Sequence, residues 1–333
     1  MRGGSSWEYG LQGMSRMAHK SEVLQSGYDE IMEEVILGLS KNPKQLPCKL
    51  FYDKKGSELF EKICTLPEYY LTRTELDIMS ANIKEICSYT GHNTMLVELG
   101  SGSSLKTRLL LNNLHQLAAY VPLDISYSHL MESVSLLSGD YPDLNIFPVC
   151  ADYTKPFKFP VLNVAWSRIV VYFPGSTIGN FTPEYAKKFL ATIAKRIGKG
   201  NGLLIGVDLK KNISTLENAY NDSRGITAQF NLNILSRLNS EISANFNLDN
   251  WYHNAVYNKN EGRIEMHLIS ALNQAARLNG TTVYFRENES IITEYSYKYH
   301  PSEFRNLASE HFRVEKVWTD KDNRFSLQYL TVI

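Results

Sequence analysis

The chain has 333 residues, 43% hydrophobic and 21% charged, the balance of a soluble globular protein with one enlarged domain or two. Thirty-five Lys and Arg against 35 Asp and Glu leave no net charge. This argues against a polyanion and for a small-molecule substrate, with neither nucleic acid nor membrane as partner. Cys48, Cys64, Cys87 and Cys150 are scattered with no C-x-x-C pair, and no apolar run reaches 18 residues. A metal site, a disulfide framework and a membrane span are all disfavoured, and the expectation is a cytoplasmic monomer.

Residues 1–20 read as a flexible tail. A helix is predicted from Ser21 to about Lys41, with Ile31, Val35, Ile36 and Leu39 on one face. An aromatic and polar segment follows over 47–73, and Thr72-Arg-Thr-Glu75 has the spacing of a capping box opening a second helix. Strands at 94–99, 119–123, about 145–149, 167–173 and 202–208 then alternate with helices near 104–117, 126–138 and 183–196. That alternation predicts an α/β fold, a doubly wound parallel sheet with right-handed crossovers. Beyond about 211 the rhythm changes: helices near 213–221 and 226–240 precede extended runs at 250–257, 263–271 and 281–297, which read as an insertion. Two last strands, at 312–318 and 325–332, are expected to pair as an antiparallel hairpin.

The strongest local motif is the strand Leu96-Val-Glu-Leu99 running into Gly100-Ser-Gly102 and a helix. Glu98, Gly100 and Gly102 form E-x-G-x-G, in which a carboxylate can hold a ribose or an α-ammonium and the glycines let backbone approach the ligand. Leu105 stands where a dinucleotide fingerprint needs its third glycine and where a P-loop needs its second. The motif therefore points to S-adenosylmethionine (SAM) rather than to NAD or a nucleoside triphosphate. Asp124 and Asp152 end the next two strands, where open α/β sheets bind ligands, and each could instead cap the helix that follows. Tyr153 is placed to lie against an adenine, and Lys106 either reaches the methionine carboxylate or is a solvated first-turn lysine.

Phe51-Tyr-Asp-x-x-Gly-Ser57, Leu66-Pro-Glu-Tyr-Tyr70, Glu98-Leu-Gly-Ser-Gly102, Gly175-Ser-Thr-Ile-Gly-Asn180 and Ala219-Tyr-Asn-Asp222 together resemble the histidine-specific SAM-dependent methyltransferase family. Gly225-Ile-Thr-Ala228, Phe230-Asn231 and Arg263-Ile-Glu-Met266 extend the resemblance over roughly residues 40–333. It implies a Rossmann-like class I methyltransferase core, 74–210 plus 298–333, joined to an α+β substrate-binding domain, 21–73 plus 211–297. It implies cofactor contacts at Gly100, Lys106, Asp124, Asp152 and Tyr153, to which the strand ends add Glu98, Gly102 and Gly175. For an amino-acid substrate, it implies a carboxylate against Tyr69, Asn180 and Tyr220, and Tyr52 facing the reacting amine. It further implies an imidazole held by Glu294 and Ser296 beside Met266, with Phe230 an aromatic wall or plain core. The activity implied is N-methylation of histidine to its trimethylbetaine. An enzyme acting on a tryptophan derivative and a non-catalytic SAM-binding module stay open as alternatives.

Overall fold

The computed structural model describes residues 29–102, 105–114 and 116–333; the expected tail and the first part of the first helix lie outside these. The described part of that helix, α1, covers 29–39 and buries Met32, Val35 and Leu39. Among the described residues, no helix is long and apolar enough to cross a membrane.

Strands β2 (Thr94–Leu99), β3 (Ala119–Asp124), β5 (Arg168–Phe173) and β6 (Gly202–Asp208) are buried almost throughout. Continuous apolar runs of this kind belong to central parallel strands covered on both faces. They pair in parallel in the order β6-β5-β2-β3, with the two-residue β4 (Val149–Cys150) beside β3. On the other flank β13 (Phe325–Val332) runs antiparallel to both β6 and β12 (Phe312–Thr319), completing seven strands in the order β12-β13-β6-β5-β2-β3-β4. The strand order reverses beside β2, so the crevice at its carboxyl end is where such a sheet binds a ligand. The crossovers include α4 (Leu105–Leu111), α5 (Tyr127–Asp140) and α6 (Pro183–Ile197).

A second sheet is built from distant segments. β11 (Ser290–Tyr297), β8 (Arg263–Ser270) and β7 (Trp251–Asn258) are antiparallel, and the two-residue β1 (Lys44–Gln45) joins β11 in parallel. Helices α2 (Lys54–Cys64), α7 (Ile213–Asn218) and α8 (Ile226–Glu241) complete this region, and α3 (Tyr70–Thr90) packs against β13 and β6 of the large sheet.

The departures from the expected elements have local causes. The helix predicted to 117 stops at Leu111, where Asn112-Asn113 are poor helix formers. The strand near 145–149 shrinks because Pro148 has no N–H to give; one isolated bridge, Tyr120 to Ile146, precedes it. The run 281–297 is two strands: Asn288 takes φ +65°, and β10 (Thr281–Phe285) turns away into a hairpin with β9 (Gln274–Leu278). β9 went unseen, its Gln-Ala-Ala-Arg-Leu lacking any β-branched residue, and so did α9 (Pro301–Ala308). The capping box expected at Thr72 does not form: α3 begins at Tyr70, and Glu75 is fully buried inside it.

Candidate active site

A cavity of about 990 Å³ opens at the carboxyl ends of β2, β3 and β5 and runs on to β11 and the corner before α2. That volume is at the upper end for small-molecule sites and leaves room for a nucleoside ligand with a second small molecule.

On the sheet side, Gly100 and Gly102 take φ of +72° and +45°. A Cβ on Gly100 would stand an ordinary 3.8 Å from the Tyr153 ring, so backbone conformation rather than crowding calls for glycine there. Glu98 is 2% exposed; its Oε2 accepts from Thr107 Oγ1 (2.6 Å) and Tyr120 OH (2.5 Å), and burial pushes its carboxyl up to about 7. Asp124 does brace the turn that follows it, accepting from Ser126 N at 2.9 Å, while its other oxygen faces Gly102 N at 3.4 Å. Asp152 likewise accepts from Thr154 N (2.9 Å), and Lys49 Nζ lies 3.6 Å from its second oxygen. Tyr153 packs edge-on against Phe173 and Phe189, which fixes its ring over the turn.

Lys106 is not a solvated lysine: it pairs with Glu75 of α3, whose Oε2 also accepts from Gly175 N at 2.9 Å. Glu75 thus clamps two elements of the cavity wall, a role that sequence reading missed by taking it for a cap.

The opposite wall starts from a tight corner. Asp53 caps α2 by accepting from Gly56 N (2.6 Å) and from Asn233 Nδ2 of α8 (2.8 Å). A Cβ on Gly56 would fall 1.6 Å from Phe51 O, so only glycine closes this corner, and the corner aims Tyr52 into the cavity. Tyr52 meets Phe60 and Phe230 edge-on at 5.8 and 6.0 Å, and Phe230 stacks on Phe51 at 4.4 Å. Tyr69 and Asn180 also line the cavity, and the Asn180 amide points at Cys48 Sγ, 3.9 Å away. Burial raises the Tyr52 and Tyr69 hydroxyls well above the ordinary phenol value and pushes the Cys48 thiol up to about 12.

Glu294 arrives through a β-bulge. Ile292 pairs with His267 and Glu294 with Met266, leaving Thr293 as an extra residue anchored on Asn231 Oδ1 at 2.7 Å. Bulges of this kind re-aim side chains. Here Glu294 lines the cavity, and burial lifts its carboxyl to about 7, the nearby Lys298 acting in the opposite direction.

Of the sixteen residues singled out above, twelve line this one cavity: Glu98, Gly100, Gly102, Lys106, Asp124, Asp152, Tyr153, Gly175, Tyr52, Tyr69, Asn180 and Glu294. Tyr220, Phe230, Met266 and Ser296 stand behind its wall, all 5% exposed or less. Phe230 is an aromatic prop for Tyr52, Met266 lies opposite Glu294 in the sheet, and Tyr220 OH bonds Ser296 Oγ at 2.9 Å.

A seven-stranded sheet whose penultimate strand in space is antiparallel, with acids on successive strand ends around a glycine turn, is the class I arrangement of SAM-dependent methyltransferases. The chain belongs to the family described as histidine-specific methyltransferase, SAM-dependent, whose pattern matches residues 31–332. It is 40% identical over 309 residues to the histidine N-alpha-methyltransferase of Mycolicibacterium smegmatis, covering 91% of this chain and 95% of that one. Ergothioneine biosynthesis protein 1 of Schizosaccharomyces pombe is 29% identical over 80% of this chain, which spans 36% of that longer protein. The 4-dimethylallyltryptophan N-methyltransferase of Aspergillus fumigatus is 28% identical over 90% of this chain and 94% of its own length.

Proposed function

We propose that this enzyme methylates the α-amine of L-histidine three times, giving the trimethylbetaine hercynine as the first step of ergothioneine biosynthesis. The observation that carries this reading is Glu294. Its carboxylate lines the cavity and has no hydrogen-bond or ion-pair partner among the described residues. A half-buried acid open to the cavity and bonded to no neighbour is free to accept from a ligand that donates to it. An imidazole supplies an N–H and, when protonated, a charge.

When bound, SAM supplies a methyl group on a sulfonium for in-line transfer, and Gly100, Gly102, Lys106, Asp124, Asp152, Tyr153 and Gly175 are the residues that would hold it. The amine must reach the reaction neutral, and its reference pKa near 8 leaves it mostly protonated at neutral pH. Enclosure in the cavity disfavours the ammonium, as does any neighbouring positive charge. Tyr52, its phenol raised by burial, holds its proton and serves to orient the amine rather than to deprotonate it. Positioning therefore carries most of the rate, with Tyr69 and Asn180 as neutral donors to the substrate carboxylate. In this reading residues 21–73 and 211–297 form the substrate-binding domain, and 74–210 with 298–333 the SAM domain.

Mass spectrometry of purified protein incubated with SAM and L-histidine, with tryptophan in a parallel tube, tests the proposal. Mass gains of one, two and three methyls on histidine and none on tryptophan are expected. Methylated tryptophan, or SAM binding with no methylated histidine, would sink it.

A further inference from the structure

Lys298 is 1% exposed, an unusual place for a lysine. It follows Glu294 and Ser296 at two-residue spacing, so the three side chains share one face of the extended chain that includes β11. Its Nζ donates to Asp208 Oδ2 (2.8 Å), Ser296 Oγ (2.9 Å) and Tyr220 OH (3.1 Å), which uses all three ammonium protons.

Asp208, at the end of β6, has a second cation beside Lys298. Lys211 Nζ lies 2.6 Å from it and Tyr70 OH donates at 2.8 Å. Arg324 and Asp320, packed nearby, pair with each other. Asp208 is shared by both lysines, and the other acids facing the cluster are Glu294, near Lys298, and Asp320, near Lys211. A buried ion pair is weak evidence for stability, so what Lys298 alone contacts is the better guide to its use.

Those contacts are the two hydroxyls. An ammonium can only donate, so Tyr220 and Ser296 both accept from Lys298. Between them they own two O–H protons, and one is spent on the bond that joins them. One proton is left to donate outward, sharpened by the cation behind it. The Tyr220 ring packs edge-on at 6.2 Å against Tyr69, which lines the cavity. The lysines that line the cavity directly are committed elsewhere: Lys49 to Glu34, Lys106 to Glu75 and Lys155 to Glu30.

We propose that Lys298 is the counter-charge of the amino-acid subsite, a positioning residue that makes the Tyr220–Ser296 hydroxyl pair a one-way donor toward the substrate carboxylate. This rests on the reading that the cavity takes an amino acid. The test is calorimetry with histidine and with histamine, which keeps the imidazole and amine but lacks the carboxylate, on protein saturated with S-adenosylhomocysteine. Lys298→Met is expected to weaken histidine about tenfold or more, a single charge-assisted contact, while histamine and S-adenosylhomocysteine bind as before. Equal losses for both amines, or no loss for histidine, overturn the inference. Should Lys298→Met not fold, Tyr220→Phe keeps the ring and the ion pair and must show the same histidine-only loss; undiminished histidine affinity there overturns it too. Wild-type protein that binds histamine as tightly as histidine also overturns it, whereas wild-type protein that binds neither removes the proposed function itself.

Discussion

The two walls of the cavity are built on opposite plans. On the sheet side every acid is already engaged: Glu98 by Thr107 and Tyr120, Asp124 by Ser126, Asp152 by Thr154, Glu75 by Lys106 and Gly175. On the opposite side the Glu294 carboxylate and the Tyr52 and Tyr69 hydroxyls have no hydrogen-bond partner among the described residues, although all three line the cavity. Each acid of the first wall is thus finished by at least one partner within the protein, although Glu75 Oε1 and Ser101 Oγ stay unbonded among the described residues, while the three groups of the second wall stand unfinished on the open cavity. Substitutions in the first wall should therefore cost stability, and substitutions in the second should cost binding and even return stability.

The largest expected effect lies in the finished wall. Lys106→Met leaves Glu75, which is fully buried, with only the Gly175 N–H. Breaking a buried pair from one side costs about 3–5 kcal/mol, measurable as a lowered midpoint in denaturant unfolding. Adding Glu75→Gln should recover most of that loss while the affinity for SAM stays weak, because the lysine is still missing. A single variant as stable as the wild type would show that this wall does not hold itself together.

Next in size is Glu294→Ala in the unfinished wall. Loss of a charge-assisted hydrogen bond predicts about 2–3 kcal/mol weaker histidine binding with SAM binding unchanged. Calorimetry on both ligands reads this directly. Parallel weakening of both would mean that Glu294 supports the cavity rather than the imidazole.

The same contrast explains what could be read from the sequence. The sheet side comes from one nearly continuous stretch in which strand, turn and acid are local signals, so β2, β3, β5, β6 and the acids Glu98, Asp124 and Asp152 were legible, whereas Asp208 at the end of β6 was not singled out. The opposite wall draws on Tyr52, Tyr69, Asn180 and Glu294, which only tertiary packing brings together; the family resemblance rather than any periodicity pointed to them. The bulge at Thr293 leaves no mark in the residue pattern, because it depends on the register with β8. Glu75 was misread since a carboxylate three residues after a threonine looks the same whether it caps a helix or faces inward. Lys298 did carry a signal, a lysine in step with Glu294 and Ser296 on a strand face, but its burial could not be known before the second sheet was in place.

The smallest expected effect is the most diagnostic of an unfinished wall. Glu294 titrates at about 7 in the folded protein and near 4.5 when unfolded. Between those values the unfolded chain releases a proton that the native state keeps, so this group favours folding below about pH 4.5 and loses that contribution as pH rises through about 7. Glu294→Gln fills nearly the same space with a group that does not titrate. Above pH 7 the ligand-free variant should melt higher than the wild type, by roughly 2 °C for each kcal/mol recovered, and the gap should narrow toward pH 4.5. Histidine binding should show the reverse order, with the wild type gaining affinity as Glu294 ionises and the glutamine variant staying weak at every pH. Thermal melts at several pH values check the first half and calorimetry the second. A glutamine variant that melts lower than the wild type at pH 8 would mean that Glu294 is satisfied without a ligand, and the contrast between the two walls would be gone.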